Sequence, residues 1–460
     1  MLFNSYPFLL FFLPLAVVGY FWLNKRHLAN VARSWLVLCS LFFYGWWNVG
    51  YLPLILVSIL VNYSLGTALG NAAARRKRLL ALGIVFNVSL LAYFKYTNFA
   101  LANINALLGL DIRITPIVLP LAISFFTFQQ IAYLVDSYQG ATREYDFLNY
   151  TLFVTFFPQL IAGPIVHHGE MMPQFRNLRN LIPDYKNVLG GLGIFTLGLA
   201  KKVLLADTFA IWSNAGFSEP AGIAFGGAWI ASLSYTLQLY FDFSGYMDMA
   251  TGAALLFNIK LPMNFDSPYK SADLQEFWRR WHITLGRFLR DYIYIPLGGG
   301  RGSTPAVLRN LFVTFLIGGI WHGAGWTFAA WGALHGLGIV FHRLWRKTGL
   351  RMPRLMGQAT TFLFVVLAWV VFRAANLPDA LTMLHAMFAQ APGLQGVTLL
   401  PLSAVLAGLA MVWFLPNSRT VMAHPGSSSL AATVALAALA CASLLGLEIR
   451  NATEFLYFQF

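Results

Sequence analysis

FWRRWHITLGRFLRDYIYIPLGG, residues 277–299, and GGIWHGAGWTFAAWGALHG, residues 318–336, decide how this chain is read. Each sets a histidine beside a tryptophan in an otherwise apolar stretch, and His282 and His322 lie 40 positions apart. An imidazole delivered to membrane depth is costly to keep there, so an ionisable side chain in such a place marks a functional site by default. Histidine is also the side chain best poised to move protons near neutral pH.

The composition fixes the class around these segments. The 460 residues are 58% hydrophobic and 10% charged, with a mean hydropathy of +0.64. A soluble domain carries roughly 25% charged residues. The chain therefore reads as an all-α polytopic membrane protein, because spanning helices satisfy every backbone group in lipid. The apolar runs are longer and more continuous than the alternating segments of a β-barrel. The first charge is Lys25, so PFLLFFLPLAVVGYFWL lacks the basic start of a cleaved signal peptide and reads as a retained first span. Cys39 and Cys441 both sit in apolar runs and imply no disulfide framework. Asn451 to Thr453 forms an N-x-T site, uninformative in a bacterial host.

Apolar runs predict spans near 7–23, 35–48, 51–70, 79–95, 116–136, 147–163, 188–207, 228–257, 307–341, 359–373, 397–415 and 430–447. Counting re-entrant pieces, this is about eleven to thirteen crossings. The net charge of +14 could suggest nucleic acid, but no basic domain lies outside the spans to hold a polynucleotide. The excess instead fits positive-inside topology and anionic headgroups. Lys25, Arg26 and Arg33, then Arg75, Arg76, Lys77 and Arg78, occupy loops separated by two spans. Both loops read as cytoplasmic, with the N-terminus outside. Residues 258–301 and 343–354 also read as cytoplasmic. The segment between them must leave and return within about 40 residues, which two spans barely fit. Trp321-His322-Gly323 falls near its middle, flanked by Gly318, Gly319 and Gly325, so His322 belongs at a re-entrant tip or a broken helix.

Residues 273–292 predict one amphipathic helix, with Phe277, Trp278, Trp281, Leu285, Phe288, Leu289 and Tyr292 at helical spacing. Asp273 and Glu276 resemble a capping box. An interfacial helix explains its surface, but His282 beside Trp281 gains nothing from such a role. His335 and His342 share a face of the next helix, where packing outweighs metal ligation because no Cys or carboxylate completes a ligand set. Asp242 and Asp248 in LYFDFSGYMDM must pair or line a water-filled path. A salt bridge from one of them to an arginine of 279–290 is the expectation.

With these motifs in view, the chain resembles the membrane-bound O-acyltransferases (MBOAT), specifically the bacterial branch that acetylates polysaccharides such as alginate. PLAISFFTFQQIAYLVDSY at 120–138, LIAGPIV at 160–166, GLAKKVLLAD at 198–207, QLYFDFSGYMDMA at 238–250, FRAANL at 372–377 and the ending EFLYFQF carry the resemblance along the whole chain. It implies a single MBOAT transmembrane domain over 1–460. That fold has about eleven transmembrane helices, with re-entrant and interfacial helices, around a central tunnel. It implies His322 as the catalytic histidine, with His282 at the position often occupied by Asn or Asp in eukaryotic members. It further implies acetyl transfer from a cytoplasmic donor, acetyl-CoA, across the bacterial inner membrane, with no metal. The partners implied are a periplasmic O-acetyltransferase or acetyl-accepting protein, an exopolysaccharide indirectly, and membrane lipids. Alginate members carry a longer hydrophilic insert where 416–430 is short here, which leaves acetylated cellulose or another polymer open.

Transfer from a thioester to a hydroxyl needs a base and an oxyanion stabiliser. His322 reads as the base, and His282 as a hydrogen-bond donor to the oxyanion or an orienter of the donor carbonyl. Arg279, Arg280 and Arg287 are candidates for the phosphates of the donor, with Trp278, Trp281 and Trp321 beside it. D-alanyl transfer to teichoic acid, and a non-catalytic acetyl conduit or scaffold, are the alternatives.

Overall fold

The computed structural model describes residues 1–71, 75–142, 144, 146–389, 393, 397–424, 426, 429–450 and 452–456. Asn451, parts of the 416–430 linker and the last four residues of EFLYFQF lie outside the described residues. The described chain is helical, without strands. Seven described helices are long and apolar enough to cross a membrane: Pro7–Lys25, Val49–Gly70, Arg76–Leu108, Tyr185–Ser218, Thr304–His322, Arg354–Arg373 and Leu430–Arg450. Leu399–Phe414 is a shorter apolar helix. Other predicted spans are broken up. The run at 147–163 divides at Phe156 into Phe147–Thr155 and Phe157–Leu160, buried from Asn149 onward. The run at 307–341 becomes two helices, Thr304–His322 and Trp326–Lys347.

The chain clusters into two compact units, Met1–Thr196 with Tyr246–Pro262, and Leu197–Gly245 with Met263–Phe460. The first is centred on phenylalanines. Phe8, Phe43 and Phe157 pack with ring centroids 5.5–6.1 Å apart. Lipid gives helices no hydrophobic reason to associate, so polar pairs do part of that work. Asn62 and Asn87 exchange side-chain hydrogen bonds at 3.2 and 2.6 Å. Gln130 donates to Ser58 at 2.9 Å and accepts from Tyr150 at 3.2 Å.

A buried cluster closes the loop after Ile123–Gln139 in the same unit. Glu144, 3% exposed, accepts from Arg176 at 2.7 Å and meets His168 Nε2 at 3.2 Å. His168 Nδ1 lies 2.6 Å from the Thr142 hydroxyl. Burial opposes the Glu144 charge. The bonds to His168 and the Asp146 amide, with Arg176, outweigh it and hold the carboxyl below its ordinary range.

The second unit buries an ion cluster. Lys202, on a π-helical turn Lys201–Ala206, donates to Asp207 and Asp242, each at 2.8 Å. The C-terminal segment completes its shell: Lys202 donates to the Glu454 carbonyl at 2.9 Å, the Leu456 amide donates to Asp242 at 3.0 Å, and the Phe455 ring lies 4.9 Å from the ammonium. Of the two aspartates, Asp242 is paired with Lys202.

A depressed carboxyl adds stability above its unfolded pKa, and that stability is lost as pH falls through the folded value. Glu144→Gln is expected to lower the thermal midpoint of the purified protein by a few degrees at pH 7, on the order set by a kcal/mol-scale loss. Glutamine does not titrate, so the gap to the wild type should start to narrow as pH falls to about 4, where the unfolded carboxyl protonates, and close as pH falls through the lower folded value. Thermal scans across pH check both.

Candidate active site

The second unit brings the two histidine segments together. Thr304–His322 ends on His322, Gly323 is extended, and a new helix starts at Trp326. This is the broken helix that the glycines allow. The two arms pack back to back through small residues. A Cβ on Gly319 would lie 2.5 Å from the Phe328 carbonyl oxygen and 2.6 Å from Gly332 Cα. One on Gly332 would lie 2.7 Å from the Phe315 carbonyl oxygen. Close backbone approach is the reason for glycine here.

The 273–292 segment is not one helix. Asp273 accepts from the Glu276 amide and Glu276 accepts from the Ala272 amide, each at 2.8 Å, and Leu274–Arg280 starts from that cap. The helix then stops at Trp281. His282 takes left-handed angles, φ 45° and ψ 53°, and Ile283–Leu289 starts again. Helical periodicity hides the break because both short helices keep an apolar face. Its cause lies outside the segment, in Asn264, whose carbonyl accepts from the Ile283 amide at 3.0 Å. The Asn264 side-chain oxygen also accepts from the Thr284 amide at 3.0 Å.

His282 is fully buried and His322 is 4% exposed. Their ring centroids lie 6.5 Å apart. Aromatic rings close around them. Trp321, Trp331 and Phe372 lie 5.0–5.5 Å from the His322 ring, and Phe243 lies 4.9 Å from the His282 ring. Such a dry surround strengthens every polar interaction inside it.

A cavity of about 740 Å³ in the same unit is lined by Trp278, Arg279, Arg287, Arg290, Arg343, Arg346 and Lys347, among others. Neither histidine lines it. Trp278 connects the two regions, with its indole N–H donating to His335 Nδ1 at 3.2 Å and its ring 5.8 Å from Trp331. Of the arginines singled out in sequence, Arg279 and Arg287 reach this cavity. Arg280 does not line it and pairs instead with Glu276 at 2.9 Å and Asp266 at 3.5 Å. Trp321 stands beside His322. Trp281 is 2% exposed and packs on Phe265, Phe277 and Trp369. Arg343, Arg346 and Lys347 read in sequence only as topology signals, although their i, i+3, i+4 spacing put them on one helix face. Asn264 and Trp331 carried no sequence signal of their own. His335 is buried against Trp278, and His342 lines the cavity 3.7 Å from Asp273.

The second unit thus holds a broken helix, a buried histidine pair and a cavity lined by cations. The membrane-bound O-acyltransferase family model matches residues 42–377, and the chain belongs to that family. It is 50% identical to the peptidoglycan O-acetyltransferase of Helicobacter pylori, over 88% of this chain and 82% of that protein. It is 39% identical to the probable alginate O-acetylase AlgI of Pseudomonas putida over the full length of both. A teichoic acid D-alanyltransferase of Streptococcus thermophilus is 27% identical over 55% of this chain and 68% of its own length. The chain is a multi-pass membrane O-acyltransferase.

The glycine contact gives a direct test of the broken helix. Gly319→Val should lower both accumulation and acyl transfer, since overpacking of this kind costs about 1–3 kcal/mol. Gly169→Ala, where a Cβ meets nothing within 4 Å, should be tolerated. Membrane-fraction immunoblots with matched activity assays check the contrast.

Proposed function

We propose that this O-acyltransferase takes acetyl groups from acetyl-CoA on the cytoplasmic side of the bacterial inner membrane for O-acetylation of a glycan outside it. The observation that carries the proposal is the pairing of His282 and His322 in a dry aromatic pocket beside a cavity walled by arginines. His322 acts as the base. The acceptor oxygen bonds to the acetyl carbon, the donor C–S bond breaks, His322 takes the hydroxyl proton, and a proton returns to the departing thiolate.

Arg279 and Arg287, with Arg290, Arg343, Arg346 and Lys347, hold the donor's phosphates as charge-assisted partners. Trp278 forms the inner wall, and Trp321 packs beside the reacting group. Arg280 and Trp281 support the elbow that carries His282. The acceptor is a hydroxyl of a partner O-acetyltransferase or acetyl-accepting protein on the periplasmic side, which passes the group to the polymer.

Among acceptor polymers, the relative at 50% identity bears the name of a peptidoglycan enzyme, which favours peptidoglycan over alginate or cellulose. D-alanyl transfer has weaker support, since the teichoic acid relative matches 55% of the chain.

Deletion of the gene should remove O-acetyl groups from purified peptidoglycan, measured as acetate released by mild base, and plasmid-borne wild type should restore them. Normal peptidoglycan acetylation with loss of acetate from an exopolysaccharide would move the acceptor to that polymer. In membranes or nanodiscs, Arg287→Gln and Arg343→Gln should each raise KM for acetyl-CoA roughly tenfold or more with little change in kcat, as loss of a charged hydrogen bond to bound donor predicts. An unchanged KM would leave those arginines a headgroup role.

A further inference from the structure

Asn264 lies in the extended stretch before the elbow and holds it by side chain and main chain. Its side-chain oxygen accepts from the Thr284 amide and the Thr284 hydroxyl, both at 3.0 Å, and lies 3.2 Å from His282 Nδ1. A backbone amide is a donor under all conditions, so the Asn264 atom facing it is the carbonyl oxygen and not the amide nitrogen. An oxygen facing Nδ1 requires the proton on Nδ1. A neutral imidazole then presents Nε2 as a hydrogen-bond acceptor.

This reverses the role that sequence suggested for His282. A neutral ring in this tautomer does not donate to an oxyanion from Nε2. We propose that Asn264 is a positioning residue that fixes His282 as the Nδ1–H tautomer, so that Nε2 of His282 serves the acyl transfer as a proton acceptor alongside His322. The inference rests on the acyl-transfer reading of the histidine pair and deepens it. As the acceptor oxygen bonds to the acetyl carbon and the C–S bond breaks, His322 takes the hydroxyl proton. His282 Nε2 accepts a hydrogen bond from the resulting imidazolium through an intervening hydroxyl, since ring centroids 6.5 Å apart leave room for one, and the proton then passes to the thiolate.

The left-handed backbone of His282 fits this role. A buried non-glycine residue in that region is strained and persists only when its surroundings over-determine it. Here the over-determining bonds come from Asn264, whose main-chain and side-chain oxygens accept from Ile283 and Thr284. Phe243, Phe265 and His322 are among the rings packed on His282. Of the charged groups along the elbow, Arg280, Glu276 and Asp266 are joined in ion pairs, Asp273 caps the first helix and faces His342, and Arg279 and Arg287 line the cationic cavity.

The test uses the full-length protein in host inner-membrane vesicles that retain the acceptor partner, with thiol release from acetyl-CoA followed against pH. In Asn264→Asp the carboxylate accepts the same bonds and stabilises the His282 imidazolium. The acid limb of kcat/KM should move up by about one to three pH units, as an opposite charge at this distance predicts. Asn264→Ala should lose about tenfold or more in kcat, part of the roughly 10²–10⁴-fold that a general base contributes, with KM for acetyl-CoA within about twofold. If the alanine variant does not accumulate, the isosteric aspartate variant decides alone. An aspartate variant whose pH profile superimposes on the wild type overturns the proposal. So does one that fails to accumulate, since a carboxylate beside an Nδ1–H donor is a satisfied anion. Absence of thiol release from the wild type would instead refute the acyl-transfer reading.

Discussion

A helix end buried away from water must find partners for its free backbone groups, and the active region depends on two such ends. One is the elbow at Trp281 and His282. The other is the break after His322. Each break places an imidazole where an unbroken helix would not. At the elbow, Asn264 supplies the acceptors that a continuous helix would have provided, and it takes the Ile283 and Thr284 amides with main-chain and side-chain oxygens. At the other break, Gly323 in extended backbone and the glycine contact between the flanking helices let the chain reverse.

The surround then separates charge from the reacting pair. Trp331, Trp369 and Phe372 fill the space beside His322, with ring centroids 5.2–5.6 Å apart. Cations gather in the cavity on the far side of Trp278. The acidic residues of the apolar run are used elsewhere. Asp242 is held with Lys202 in a cluster that the C-terminal segment completes. Removing one member of such a cluster would leave a buried charge unpaired, at a cost of about 3–5 kcal/mol.

Much of this was legible in the sequence, for identifiable reasons. Composition gave the helical membrane class because lipid admits few backbone solutions. Gly318, Gly319, Gly323 and Gly325 marked the break at His322, since small residues in an apolar run need a steric reason. The cap at Asp273 and Glu276 could be read from spacing alone. What was hidden depends on residues distant in sequence. The elbow looked like one helix because Asn264, which breaks it, lies 18 positions before His282. The partner of Asp242 was hidden because Lys202, 40 positions earlier, carries no mark of being buried. Arg343, Arg346 and Lys347 looked like a topology signal because a cationic helix end reads alike whether it faces headgroups or a cavity.

The central claim is that His322 takes a proton during acyl transfer. The most direct measurement is single-turnover loss of the acetyl group from labelled acetyl-CoA in host inner-membrane vesicles that retain the acceptor partner, with wild type and His322→Gln at matched protein and donor binding measured in parallel. Glutamine fills similar space and hydrogen-bonds but is no base at neutral pH. The account predicts donor affinity within about twofold of wild type and a rate lower by roughly 10²-fold or more. A His322→Gln variant that binds donor normally and transfers at close to the wild-type rate would contradict it, leaving His322 an orienting or packing residue.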